Sequence, residues 1–140
     1  MADLKKIVMI DDDADIRRTT ASILERTGRF RVWASVHAEE GIQLAKLHRP
    51  DLIMLDVMMP EMEGTEIATI LCEDAATADV PIAFVTAIAI PMAFLASLVQ
   101  NDELKQKAGA AGGHFFIQKP ISPQELIQRL DEILNPVKVK

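Results

Sequence analysis

Five short apolar runs, each followed by a stretch with helical spacing, constrain the fold of this chain more than any other feature of its sequence. The runs are mostly apolar and nearly continuous, which is typical of strands that are buried on both faces. Strands separated by helices pair in parallel, because a parallel connection needs a long crossover. The predicted strands are residues 6–10, 30–34, 52–55, 80–87 and 114–117.

This alternation predicts an α/β fold, a doubly wound five-stranded parallel sheet with helices on both faces. Gly28 should end the first helix and Pro50 the second. Ser122, Pro123 and Glu125 place an N-cap, a first-turn proline and a capping-box carboxylate before the last helix. The predicted helices are residues 14–27, 38–47, 65–72, 91–108 and 123 up to Asn135.

Helical spacing also predicts which side chains are buried. The apolar side of the second helix should contain Ile42, Leu44, Ala45 and Leu47. Trp33 and Cys72 are expected to pack inside, and the three histidines to lie at the surface or at the ends of elements.

The composition is that of one ordered domain, with 140 residues, 49% hydrophobic and 26% charged. A single cysteine cannot form an internal disulfide, and the apolar run at 7–10 is too short for a signal peptide, so we expect a cytoplasmic protein. We expect one domain over 1–140, with a core at about 5–135 and a short tail at 136–140. Because we expect no second domain in the chain, this domain should stand alone and act by binding a downstream protein target.

Residues 80–99 carry no charge and could suggest a membrane span. Pro81 and Pro91 divide the stretch, so a strand followed by a helix explains it better, and no membrane contact is expected. The net charge is −6, and residues 50–104 contain ten acidic residues and no Lys or Arg. Such a surface repels phosphate backbones, so we expect no direct nucleic-acid binding and an affinity for divalent cations.

Polar residues follow the predicted strands. Asp11 and Asp12 follow the first strand, Asp56 the third, Thr86 lies in the fourth and Lys119 follows the fifth. Ligands of such folds bind at the carboxyl ends of the strands, and clustered carboxylates with open water positions suit Mg²⁺. The chain has no glycine-rich phosphate loop and no nucleophilic serine paired with a histidine, so the chemistry is that of carboxylates and metal.

With these residues in place, the chain closely resembles a response-regulator receiver domain, the phosphoacceptor module of two-component signalling. Four motifs carry the resemblance, in order, over about residues 5–134. They are IVMIDD at 7–12, LIMLDVMMP at 52–60, FVTA at 84–87 and IQKP at 117–120.

The resemblance implies that Asp56 accepts a phosphoryl group from a histidine kinase or a histidine phosphotransfer protein. It further implies that Mg²⁺ is held by Asp56, by Asp12, by the Met58 carbonyl and, through water, by Asp11. Thr86 and Lys119 would contact the phosphoryl oxygens, and Phe116 would be the aromatic switch residue that moves with Thr86. The resemblance also implies that the domain catalyses only its own phosphorylation and dephosphorylation and is not otherwise an enzyme.

Several of these residues have a plainer interpretation. Acidic residues after a strand often cap the next helix, a role that Asp13 and Asp15 fit better than Asp11 and Asp12. Thr86 could be an ordinary strand residue, Lys119 a solvated charge and Phe116 a core residue.

The sequence departs from the family in two places. Met58 and Ile88 are apolar where polar residues often influence hydrolysis, so the lifetime of the phosphorylated state is open. The segment at about 87–113 is longer than usual. Because one helical face cannot hold all of its apolar residues, Ile90 and Phe94 could form a homodimer or partner contact, or could fold back as core.

Two other functions are alternatives to a phosphorylation switch. A receiver-fold scaffold could bind partners without phosphorylation if the lengthened segment disabled the switch. A Mg²⁺-dependent phosphohydrolase is disfavoured, because Met58 stands where such aspartyl enzymes carry a second acid.

Overall fold

The computed structural model describes residues 4–56, 64–86, 114–118 and 122–134. In this part the chain forms five strands and four helices. They are β1 (Lys5–Ile10), α1 (Ala14–Arg26), β2 (Phe30–Ser35), α2 (Ala38–His48), β3 (Leu52–Asp56), α3 (Gly64–Glu73), β4 (Ile82–Thr86), β5 (His114–Gln118) and α4 (Pro123–Leu134).

The five strands form one parallel sheet in the order β2-β1-β3-β4-β5. This confirms the predicted fold class. The strand order reverses between β1 and β3, because the chain first moves outward to β2 and then returns past β1. In open α/β sheets the crevice at such a reversal, beyond the carboxyl ends of the strands, is where ligands bind. We call that side of the sheet the carboxyl edge and the opposite side the amino edge.

The buried strand residues divide between two cores, because neighbouring side chains point to opposite faces. Val8 and Ile10 of β1 pack with α2 and α3, whereas Ile7 and Met9 pack with α1 and α4. All four of these side chains are buried. The continuous apolar runs are therefore explained by two-sided burial, as the sequence predicted.

The helix termini use the predicted capping residues. The Asp13 carboxylate accepts hydrogen bonds from the backbone N–H groups of Asp15 (2.9 Å) and Ile16 (3.1 Å) at the start of α1. The Ser122 hydroxyl accepts one from Glu125 N–H (3.1 Å) at the start of α4. The C-cap of helix α2 is Arg49, which adopts a left-handed conformation (φ 47°) directly before Pro50.

Helix α2 crosses β1 at very short range. A Cβ atom added at Gly41 would overlap the Cγ1 and Cδ1 atoms of the fully buried Ile10. Only glycine permits this approach. Ile10 directly precedes Asp11, so this contact fixes α2 against the end of β1 at the carboxyl edge.

Three expectations need correction. Strand β4 begins at Ile82 rather than at residue 80, because the Val80 N–H donates to the Thr77 carbonyl (3.1 Å) in a turn. Leu47, which the sequence assigns to the apolar side of α2, is 74% exposed and does not belong to the core. His48 is more than an end residue, because its ring stacks on Trp33 with 4.0 Å between centroids.

The helix predicted at 91–108, the lengthened segment at 87–113 and the tail at 136–140 lie outside the described residues. Within the part that the structure describes, no helix is long and apolar enough to span a membrane. Strand β4 (Ile82–Thr86) lies within the uncharged stretch, which confirms the strand in its interpretation.

Candidate functional site at the carboxyl edge

Two buried aspartates lie side by side at the carboxyl edge. Asp56 is the last residue of β3, and Asp11 directly follows β1. Ile10 is paired with Leu55, so the next residue on each strand, Asp11 and Asp56, is also adjacent. Their exposed fractions are only 2% and 8%. The parallel register thus brings together two acids that are 45 residues apart in the chain.

A third carboxylate completes the group. Asp12 is exposed, and one carboxylate oxygen from each of Asp11, Asp12 and Asp56 lies within 4.8 Å of the other two. Carboxylates at this spacing repel one another, and a bound cation removes that repulsion. Oxygen donors of this kind are hard ligands that suit Mg²⁺ or Ca²⁺. The cluster, which we call the acid triad, is therefore a candidate metal site.

Backbone hydrogen bonds hold the loop that carries the triad. The Asp11 N–H donates to the Ser35 carbonyl (3.1 Å), and the Asp11 carboxylate accepts from the Asp13 N–H (2.9 Å). Asp13 itself caps α1 and is not part of the triad. The capping role predicted for Asp13 is confirmed, while Asp11 combines a turn-stabilising hydrogen bond with its place in the triad.

Arg17 also stabilises this loop, although the sequence analysis did not single it out. Its Nη1 donates to the Asp11 carbonyl at 2.8 Å. A guanidinium bound to this carbonyl fixes the backbone from which Asp11 and Asp12 project. The signal in the sequence is a cation one helical turn into α1, directly after the acidic run, but nothing local indicates which acceptor it reaches.

Comparison with known proteins decides the family. Residues 7–131 match the response regulator receiver domain. The chain belongs to this family. Receiver domains are phosphorylated modules of two-component systems, and phosphorylation and Mg²⁺ binding at an acidic pocket are general features of the family.

Two curated relatives show the extent of the similarity. The chain is 32% identical over 131 residues to the phosphate regulon transcriptional regulatory protein PhoB of Pseudomonas aeruginosa, which covers 94% of the chain and 52% of PhoB. It is 34% identical over 124 residues to the transcriptional regulatory protein YvrH of Bacillus subtilis, covering 89% of the chain and 46% of YvrH. The chain therefore spans about half the length of these relatives.

Solved structures agree with the receiver fold. The chemotaxis protein CheY4 of Vibrio cholerae superposes with a TM-score of 0.76 at 26% identity, over 94% of this chain and 100% of CheY4. A CheY-like receiver domain protein of Methanospirillum hungatei gives a TM-score of 0.70 at 30% identity and 95% coverage of both chains.

The remaining predicted site residues fall at or beyond the limits of the described part. The backbone of Thr86 ends β4 and is paired with Gln118 of β5, one residue before Lys119. Phe116 lies in β5, paired with Phe84. The side chains of Thr86 and Phe116, and the whole of Met58 and Lys119, lie outside the described residues, so the roles implied for them stay predictions.

Proposed function

We propose that this receiver domain accepts a phosphoryl group on Asp56, in the presence of Mg²⁺, and thereby changes a partner-binding surface. The observation that carries the proposal is the acid triad at the switch between β1 and β3 of a receiver domain. Asp56 is the member of the triad that ends a central strand, which suits a nucleophile that must be held in one orientation.

The proposed reaction is a direct phosphoryl transfer. A carboxylate oxygen of Asp56 forms a bond to phosphorus while the phosphorus–nitrogen bond of a phosphohistidine donor breaks, and the leaving imidazole nitrogen keeps the electron pair and is protonated. Such a transfer requires little of the protein beyond positioning and charge neutralisation. Mg²⁺, when bound, would neutralise charge on the triad and on the incoming phosphoryl oxygens.

The other residues of the proposed site would bind the metal ion, bind the phosphoryl group or transmit the change to the surface. Asp12 and Asp56 would hold Mg²⁺ together with the Met58 carbonyl, with Asp11 acting through water. The Thr86 hydroxyl and the Lys119 ammonium would bind the phosphoryl oxygens. Movement of Thr86 towards the new negative charge, with Phe116 following it, would carry the change to the surface.

The partners belong to the same proposal. A histidine kinase or a histidine phosphotransfer protein would supply the phosphoryl group, and a downstream protein would receive the signal. PhoB and YvrH are named as transcriptional regulators. That output is not transferred to this chain, whose match ends at about half of their length. The expectations of a domain that stands alone, of a cytoplasmic location and of a homodimer contact through Ile90 and Phe94 stay predictions.

The test is incubation of the full chain with acetyl phosphate and Mg²⁺, followed by intact mass spectrometry. The wild type should gain the mass of one phosphoryl group, and Asp56→Asn should gain none. Asp13→Asn is the matched control, because it removes a neighbouring carboxylate that caps α1 and is not in the triad. This control should still be phosphorylated.

Two results would contradict the proposal. One is a mass gain that persists in Asp56→Asn, which would place the phosphoryl group on another residue. The other is equal phosphorylation with a chelator in place of Mg²⁺. If the folded wild type gained no mass at all, the alternative of a phosphorylation-independent interaction scaffold would replace the proposed switch.

A further inference from the structure

A second surface lies at the amino edge, far from the acid triad. It is an open groove of about 920 Å³ between the start of β1, the edge strand β2 and the end of α2. We call it the amino-edge groove. Strand β1 has six residues, so its length separates Lys5 in the groove from Asp11 in the triad by about 20 Å. The triad does not use this surface.

Exposed apolar side chains line the groove. The described part of the chain exposes three large hydrophobic residues, and two of them, Leu4 (44%) and Leu47 (74%), lie here. Trp33 of β2 is half-buried, and its ring stacks on that of His48 at the end of α2 with an interplanar angle of 14°. Concentrated apolar exposure of this kind on a folded domain marks an interaction site.

The charges of the groove are mainly positive. Among the residues that the structure describes, Lys5, Lys6 and Arg31 line it, against the one carboxylate of Asp51. That carboxylate accepts a hydrogen bond from the Lys6 backbone N–H (2.8 Å), and the Lys6 ammonium donates to the His48 carbonyl (3.1 Å). These two groups are therefore engaged within the groove, and the cations that remain for a partner are those of Lys5 and Arg31.

Arg31 also connects the charge to the apolar surface. It is exposed, and its guanidinium carbon lies 5.0 Å from the centroid of the Trp33 ring. An arginine held over a tryptophan keeps its N–H groups available for a carboxylate while the ring limits its movement. Tryptophan and arginine are also the residues that contribute most often to the energy of protein interfaces.

From these observations we propose that the amino-edge groove binds an acidic peptide segment with large apolar side chains, independently of phosphorylation. The apolar side chains would contact Leu4, Leu47 and Trp33, and its carboxylates would pair with Lys5 and Arg31. The chain as a whole has a net charge of −6, so a local excess of cations is a specific feature and not a reflection of composition. A nucleic acid fits poorly, because its many phosphates would face the rest of an acidic protein.

The chain offers a direct readout for this proposal. Trp33 is the only tryptophan and the sequence contains no tyrosine, so intrinsic fluorescence reports on the groove. The probe is a synthetic peptide of glutamates with two leucines, which has no fluorescence of its own. It should change the Trp33 emission saturably. Peptides with serine for leucine, or lysine for glutamate, should bind at least about tenfold more weakly.

Variants of the full chain identify the surface. Leu47→Asp and Arg31→Glu should each weaken binding of a fluorescein-labelled acidic peptide by about tenfold or more, measured by anisotropy. Anisotropy is used because Arg31→Glu also alters the surroundings of Trp33. The matched controls are Ile70→Asp, the third exposed apolar residue, and Arg18→Glu, an exposed cation on α1, and both should stay within about twofold. Acetyl phosphate with Mg²⁺ should leave the affinity within about twofold.

Several outcomes would overturn the proposal. Absence of saturable binding at millimolar peptide would reject the groove as a peptide site, and an equal loss in the control variants would locate the binding elsewhere. Stronger binding to phosphatidylserine vesicles than to the peptide would indicate a membrane surface. A dimer in light scattering that Leu47→Asp dissolves would indicate a second copy of the chain. A large change in affinity on phosphorylation would reject the independence of the two sites.

Discussion

The two edges of the sheet differ in the charged side chains that they bring together. At the carboxyl edge, Asp11, Asp12 and Asp56 bring like charges within 4.8 Å of one another, and two of them are buried. At the amino edge, the charges along the described groove are mainly positive, and the Asp51 carboxylate accepts a hydrogen bond from the Lys6 backbone N–H. Repulsion among the carboxylates at the carboxyl edge favours the binding of a metal ion, whereas the charged and apolar side chains at the amino edge resemble a protein-binding surface.

The two edges also differ in how closely helix α2 packs against the rest of the domain. Near the carboxyl edge, α2 touches β1 so closely at Gly41 that no side chain fits, and Arg17 fixes the backbone of Asp11. Near the amino edge, the same helix leaves Leu47 mostly in solvent. The close contact and the Arg17 hydrogen bond lie where the carboxylates must be held in position, and a reaction that depends on positioning loses rate when its groups shift.

The largest expected effect comes from Gly41→Ala. Alanine favours a helix interior by about 1 kcal/mol over glycine. The added Cβ would overlap the side chain of Ile10, however, and overpacking of this kind costs about 1–3 kcal/mol. We expect a net loss of up to about 2 kcal/mol in the free energy of unfolding, measured by urea denaturation.

The matched control for Gly41→Ala is Leu47→Ala, six residues later on the same helix. It should change the stability by less than about 0.5 kcal/mol, because Leu47 is 74% exposed. A stabilising Gly41→Ala, or equal losses at the two positions, would remove the difference in packing between the edges.

Arg17→Ala should have an intermediate effect. It removes the hydrogen bond from Nη1 to the Asp11 carbonyl, and we expect a loss of about 1 kcal/mol in stability. Because Asp11 and Asp12 would then be held less firmly, the rate of Mg²⁺-dependent phosphorylation by acetyl phosphate should fall about threefold to tenfold. Arg18→Ala, an exposed neighbour on α1, is the control. An unchanged rate in Arg17→Ala would show that this hydrogen bond does not position the triad.

The smallest expected effect is a pH dependence of the stability, which arises from Asp74 directly after α3. The Ala76 backbone N–H and the Lys46 ammonium lower the pKa of Asp74 below its ordinary value of 3.8. The ionised carboxylate is therefore favoured in the folded state. Its contribution to stability should be complete above pH 3.8 and lost as the pH falls through the lowered pKa.

This prediction is tested by thermal unfolding of the wild type and Asp74→Asn at low ionic strength. The wild type should melt slightly higher near neutral pH, and the difference should close at acid pH. Glu73→Gln removes the same charge next to Asp74 and serves as the control. A difference that persists at the lowest pH would mean that packing of the side chain, and not its charge, stabilises the wild type.

The sequence by itself determined the class of the fold and the grouping of the acid triad. Unbroken apolar runs separated by helical spacing allow few arrangements other than a covered parallel sheet, and the carboxyl ends of parallel strands must meet at one edge. The sequence pattern alone therefore places Asp11, Asp12 and Asp56 together. The roles of Asp56, Thr86, Lys119 and Phe116 come from the family resemblance and stay predictions.

Only the tertiary structure decided the contacts between elements that are distant in the chain. Leu47 follows Ile42 by five residues, which places it about 140° around the helix from that buried side chain. Only the fold shows that no other element covers Leu47 there. In the same way, nothing local reveals that Gly41 touches Ile10 or that Arg17 reaches the Asp11 carbonyl. The physical reason is that a periodic pattern records the direction of a side chain from its own backbone, whereas burial and hydrogen bonding depend on what the fold places opposite.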